Sequence, residues 1–333
     1  MIDFLQYTTR QQKEALHLVS IKRKLPEVVV EKDWWVSNLL NIIFAMPAEC
    51  RIIFKGGTSL SKAWKLVERF SEDIDISVDP AFFGAGESPT KKQMKKLRKA
   101  SSLFVAEEFA EMLRQGLVTA GLSDFCTMEV QPNGEGDKTY PEPRQICIHY
   151  KSLYGNQSSY VRPTVILEIG ARAMIEPVET FVCKSMLAED LNLQDVESKA
   201  ITTAAPQKTF IEKAFLLHEL FSIERDRLSA NRRSRHLYDL ERMMDKDFAV
   251  NAIKDNDLCG AIQHHRSVYT PVLGVDYSID FRQNIVLVPP ENIIKDWERD
   301  YNAMCLSMIY GDKPDFRTLI GRMRVLEDRF KRL

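Results

Sequence analysis

The chain has 333 residues, 44% of them hydrophobic and 28% charged, and a net charge of −1, the proportions of a globular protein with room for two domains. No apolar run reaches the roughly 18 residues of a membrane span, and the N-terminus lacks the basic head and apolar block of a secretory signal. The six cysteines are scattered without a CxxC pair, which excludes a zinc or disulfide framework and points to reduced thiols in a cytoplasmic protein.

Residues 8–24 read as a helix that Thr8 or Thr9 can cap and that Pro26 excludes from continuing. A second helix is expected over residues 31–44, EKDWWVSNLLNIIF, with Trp34, Trp35, Leu39, Leu40 and Ile43 on an apolar face packed against a sheet. Its opening triplet, Glu31-Lys32-Asp33, reads as a charged first turn suited to the helix dipole.

The most informative stretch is residues 51–78, RIIFKGGTSLSKAWKLVERFSEDIDISV. Ile52-Ile53-Phe54 is a buried strand, and Gly56-Gly57-Thr58-Ser59 breaks it. A helix with Leu60, Ala63, Trp64 and Val67 at helical spacing follows. Asp73-Ile74-Asp75-Ile76 then alternates acid and apolar, so both carboxylates leave the strand on one side. Backbone N–H groups at a glycine turn can face phosphates, and paired carboxylates can hold the magnesium that bridges them. Each half has an ordinary reading as well, a plain turn and a solvated strand end. Sixteen positions separate Gly57 from Asp73, the order of parts in a nucleotidyltransferase of the DNA-polymerase-β type.

A loop over 82–89 leads to a long helix over 90–122 whose beginning carries Lys91, Lys92, Lys95, Lys96, Arg98 and Lys99. The run is either a solvated face or a surface that tracks nucleic-acid phosphates. From Cys126 to Arg172, three β-rich runs separated by turn residues are expected as antiparallel strands completing the sheet. The third contains Glu168 within Val165–Ile169, a carboxylate that is costly in an apolar strand unless paired or metal-bound. It is either a salt-bridged structural residue or the third acid of the site. Residues 181–191 read as a strand or short helix, and 198–206 as irregular. Helices are expected over 209–220, after Asn231, over 291–309 and over 315–333, with 280–290 extended and 241–280 uninformative. By periodicity alone this half is a helical bundle with solvated Lys and Arg.

Several blocks together closely resemble the AbiEii/AbiGii nucleotidyltransferase-like toxin family. They are GGTSLSKAW followed by RFSEDIDI, the EKD-aromatic segment, Thr209-Phe210-Ile211-Glu212-Lys213, Arg233-Ser234-Arg235-His236-Leu237-Tyr238-Asp239-Leu240, and Tyr301 with Met304 in the tail. The resemblance covers nearly the whole chain. It implies an α+β fold, a polymerase-β-like core of mixed sheet flanked by helices over 1–200, and a mostly helical domain over 201–333. It places Lys213 and Asp239 in the active site beside Asp73, Asp75 and Glu168, with the three carboxylates on Mg²⁺ or Mn²⁺. Gly56, Gly57, Thr58, Ser59, Lys213, Arg235 and His236 would contact the nucleotide. Asp239 would orient Lys213 or touch the nucleotide, and many relatives carry Lys-Asp or Arg-Asp where this chain has Arg235-His236, so His236 reads as a contact residue rather than a proton carrier.

The implied activity is transfer of NMP from an NTP to RNA, the 3′ end of tRNA above all. The implied setting is a toxin–antitoxin or phage-defence pair with an antitoxin encoded alongside. Alternatives are a protein hydroxyl or small molecule as acceptor, or a non-catalytic nucleotide- or partner-binding module. The absence of G-x-x-x-x-G-K-[ST] excludes a P-loop ATPase.

Overall fold

The computed structural model describes residues 2–47, 49–71, 73–134, 139–155, 161–223 and 230–332. The fold is α+β, and the chain divides into two compact units, Met1–Ala63 with Phe70–Thr203, and Trp64–Arg69 with Ala204–Leu333. Among the described residues no helix is long and apolar enough to cross a membrane.

The first unit is built on a mixed seven-stranded sheet. Its strands are β1 (Ile52–Lys55), β2 (Asp73–Val78), β3 (Cys126–Val130), β4 (Arg144–Tyr150), β5 (Thr164–Gly170), β6 (Val178–Val182) and β7 (Ala200–Ala204), in the order β3-β4-β5-β2-β1-β7-β6. β3, β4 and β5 pair antiparallel as their alternation predicts, but β5 joins β2 in parallel. The chain between β2 and β5 contains a long helical crossover and a hairpin, which lets β5 return in the direction of β2. The stretch read as irregular supplies β7, parallel to β1 through Phe54 and Thr203. Five residues ending at Ala204, just before Pro206, are too short to show a period.

Helices α1 (Asp3–Gln6), α2 (Thr9–Arg23), α3 (Glu27–Ala45), α4 (Gly56–Lys62), α5 (Lys91–Phe104), α6 (Ala110–Thr119) and α7 (Met186–Leu191) belong to this unit. Thr8 and Thr90 start α2 and α5 with capping boxes to Gln11 and Gln93. The expected long helix is interrupted by a π-helical turn, Val105–Phe109, between α5 and α6. Trp35 of α3 stacks on Tyr150 of β4, ring centres 5.1 Å apart, so α3 covers the apolar face of the sheet.

α3 begins at Glu27, earlier than the periodicity suggests, and this reverses the reading of Glu31-Lys32-Asp33. All three are buried. Glu31 accepts from the Ser152 hydroxyl (2.6 Å) and the Leu153 N–H (2.7 Å), and Lys32 donates to the Arg162 carbonyl (3.1 Å). Asp33 pairs with Lys62 (2.6 Å) and accepts from the Met186 N–H (2.8 Å). The triplet ties α3 to three separate segments instead of facing solvent.

The second unit contains α8 (Pro206–Phe221), α9 (Arg235–Met243), α10 (Asp247–Lys254), α11 (Asn256–Tyr269), α12 (Ile294–Ser307) and α13 (Phe316–Lys331). The uninformative stretch therefore holds two helices, short and separated only by Asp255, which caps α11 through the Leu258 N–H. The expected extension at 280–290 opens with a 3₁₀ turn, Phe281–Asn284. Phe215 packs on Phe281 (4.4 Å) and Phe221 on Trp297 (4.8 Å) to form an aromatic core.

Six residues from the glycine-to-aspartate stretch also belong here. The helix expected through Val67 ends at Lys62, and Lys65 takes a left-handed φ of 51°. The Trp64 indole donates to the Ala204 carbonyl (3.1 Å), Arg69 bridges Ile309, and the Tyr310 and Gly311 N–H groups donate to the Glu68 carbonyl. Backbone pairing with the C-terminal segment outweighs the local helical pattern.

Candidate active site

In the first unit, β1 runs straight into α4 at Gly56, which has φ +80°. A Cβ at Gly56 would stand 1.9 Å from Asp75 Oδ2, so the backbone of the turn lies directly against that carboxylate. Both the left-handed φ and the close approach require glycine. The two hydroxyls of the turn are buried and spent internally. Thr58 donates to the Asp73 carbonyl and lies 2.8 Å from the Ser71 hydroxyl, while Ser59 donates to the Gly56 carbonyl (2.8 Å). Thr58 holds the turn on β2 and Ser59 closes it internally, leaving its backbone as the part available to an anion.

Asp73 and Asp75 leave β2 on one half-exposed face while Ile74 and Ile76 are buried. Asp75 is level with Lys55 on one side and Glu168 on the other. Residues level on adjacent strands point the same way, so all three carboxylates share one face. Glu168 Oε1 accepts from Gln145 Nε2 at 2.9 Å, a partner level with it on β4. Among the described residues no three His, Cys, Asp or Glu side chains form a group that could hold a metal. Magnesium asks for less, since one or two carboxylates plus water and substrate phosphate complete its shell. Two hard oxygen donors on one half-open face fit that demand.

In the second unit, α8 carries Lys213, α9 carries Arg235, His236 and Asp239, and the short inserted segment carries Arg69. Asp239 is fully buried and Arg69 is 1% exposed. The guanidinium binds both carboxylate oxygens, at 2.6 and 2.8 Å, and Lys213 Nζ reaches Oδ2 at 2.9 Å. Burial alone would raise the Asp239 pKa, but Arg69 and Lys213 outweigh it and hold it well below the ordinary carboxylate range. Arg69 and Lys213 share the Asp239 carboxylate. Burial, with Arg69 opposing Asp239, therefore pushes the Lys213 pKa down. Burial and the neighbouring cations Lys213 and Arg235 lower His236 strongly, so its imidazole is neutral and Nδ1 accepts from Lys213 Nζ at 3.4 Å. Arg235 and His236 are half-buried. Asp300 fixes the start of α9, accepting from the Arg232 and Ser234 N–H groups and the Ser234 hydroxyl.

The expected residues thus fall into two groups, one in each unit. Arg69 was not among those expected, although it stands inside RFSEDIDI between the buried Val67 and Phe70. A cation flanked by core residues was the available signal, but its partner lies 170 positions away.

A sequence model of the AbiEii nucleotidyl transferase toxin of type IV toxin–antitoxin systems matches residues 39–322. The chain belongs to this family. The match takes in the glycine turn, the three carboxylates and the Arg69–Asp239–Lys213 cluster, and so spans both units of this AbiEii-type protein. Among solved structures, MenT4, a nucleotidyltransferase toxin from Mycobacterium tuberculosis H37Rv, is similar with a TM-score of 0.54. That match covers 96% of this chain and 90% of MenT4 at 14% identity, a likeness of fold. Comparison with curated proteins found no match.

Proposed function

We propose that this AbiEii-family protein is a metal-dependent nucleotidyltransferase that moves NMP from an NTP to the 3′ end of tRNA, under the control of a cognate antitoxin in a bacterial defence system. One observation carries the reading: Asp73, Asp75 and Glu168 share a face of the sheet, and the backbone of the Gly56 turn abuts Asp75.

In the reaction the 3′ hydroxyl of the acceptor attacks the α-phosphorus, a new P–O ester bond forms, and the bond to the leaving pyrophosphate breaks. Asp73 and Asp75 would hold Mg²⁺ or Mn²⁺, which supplies Lewis-acid stabilisation of the charge on the phosphates. The first N–H groups of α4 have no partners within the helix and serve the triphosphate. Glu168, oriented by Gln145 through Oε1, has Oε2 to take the proton from the attacking hydroxyl. In the second unit Asp239, locked by Arg69, fixes the ammonium group of Lys213, the cation that the family resemblance assigns to the nucleotide.

The test is incubation of the purified protein with Mg²⁺, each α-labelled NTP in turn and total tRNA, beside the Asp73→Ala and Lys213→Ala variants. Label on tRNA that disappears in both variants is the expected result. Label on the protein alone would make a protein hydroxyl the acceptor. Nucleotide binding without transfer would leave a binding module.

A further inference from the structure

The first unit carries a surface that the chemistry above does not use. Between Lys91 and Phe104, α5 has six cations and no acid. Lys91, Lys92, Lys95, Lys96, Arg98 and Lys99 are all exposed, whereas Leu97, Ser101 and Phe104 are buried. At about 100° per residue the six lie within an arc of about 160°, a single outward face. The arrangement opposes the helix's own electrostatics. Lysines crowd its positive N-terminal end, and like charges meet at spacings of three and four residues. Interleaved acids would relieve this repulsion, and α5 has none.

An aromatic ring stands at the C-terminal end of the run. The Lys99 ammonium lies 5.2 Å from the centre of the Tyr140 ring. Cations with an aromatic ring beside them are what a nucleic-acid strand meets on proteins that track its backbone and stack its bases.

The position of α5 separates this surface from the reacting groups. The Ser102 carbonyl and hydroxyl accept from Arg144 Nη1 at 3.2 and 3.1 Å. Arg144 leaves β4 on the same side as the buried Ile146 and Ile148, opposite to Gln145 and thus to Glu168 and Asp75. α5 therefore packs on the back of the sheet that carries the carboxylates on its front.

We propose that the α5 face, with Tyr140, is a docking surface for the body of a folded RNA acceptor, separate from the face that receives its reacting end. This rests on the proposed RNA transferase function and adds that acceptor grip and acceptor chemistry use opposite faces of one sheet.

The test compares wild type with the Lys91/Lys92/Lys95/Lys96→Gln variant in binding total tRNA across a salt series. It also compares label transfer to tRNA with transfer to a short single-stranded RNA bearing the tRNA 3′ sequence. The variant is expected to bind tRNA at least about tenfold more weakly, with the slope of log affinity against log salt reduced by about three. Transfer to the short RNA stays unchanged, and the melting temperature is unchanged or higher because repulsion on α5 is relieved. Tyr140→Ala weakens tRNA binding without altering the salt slope.

Unchanged affinity and slope, or equal loss on both acceptors, would overturn the docking surface. So would tRNA affinity that survives while binding of polyglutamate is lost, since the patch would then serve an acidic protein. A wild type that transfers no label to either RNA sinks the proposed function instead, and the binding series still decides the surface.

Discussion

Replacing Asp239 by asparagine tests the logic of the buried cluster most directly. The substitution keeps the shape and removes the negative charge that Arg69 and Lys213 hold through contacts of 2.6, 2.8 and 2.9 Å. Arg69 is buried and cannot shed its proton, so it loses the carboxylate that the 2.6 and 2.8 Å contacts reach. Breaking a buried pair in this way costs about 3–5 kcal/mol. Lys213, whose pKa is already pushed down by burial, relieves part of the repulsion by losing its proton, which places the expected cost near the lower end. For a unit of this size the loss lowers the melting temperature by on the order of 10 °C. Thermal and urea unfolding followed by circular dichroism reads it.

The pH dependence has a definite sign. The folded Asp239 pKa lies below its unfolded value of about 3.9. Its contribution to stability is therefore complete above that value and is lost as pH falls below about 4 toward the folded pKa. The asparagine variant lacks this acid-side loss. An Arg69→Met/Asp239→Leu double variant, which removes the charges together, recovers much of the stability of the single variant. A cost below about 1 kcal/mol for Asp239→Asn, with the acid-side slope intact, would refute the reasoning.

Two other substitutions separate shape from chemistry in the first unit. Gly56→Ala forces a Cβ to within 1.9 Å of Asp75 Oδ2 at a φ of +80°, so the turn or the carboxylate has to move. Transfer activity is expected to fall at least about a hundredfold, as for misplacement by about an ångström, and wild-type kinetics would show that the approach is unimportant. Glu168→Gln retains an acceptor for Gln145 and removes the carboxylate proposed as the base. Expected are a kcat about 10²–10⁴ lower with an unchanged melting temperature, whereas an unaltered pH–rate profile would return Glu168 to a structural role.

The sequence alone determined what depends on neighbours along the chain. Thr8 starts α2, Ile52-Ile53-Phe54 forms β1 before the glycine break, and Asp73-Ile74-Asp75-Ile76 forms a strand with both acids on one side. These follow from capping, turn chemistry and the two-residue period of a strand, all of them short-range. The resemblance of RFSEDIDI and SRHLYDL to the toxin family was legible for the same reason.

Only the tertiary structure decided the rest. It made β5 parallel to β2, turned 200–204 into β7, and gave residues 64–69 to the helical unit. It buried Glu31-Lys32-Asp33 where the local pattern reads a charged first turn of a helix, and it joined Arg69 to Asp239. Strand direction, burial and ion pairing are set by groups distant in the chain. A charged side chain carries no local mark of whether water or a partner far along the sequence will surround it, and that difference makes Arg69 part of the cluster around Lys213.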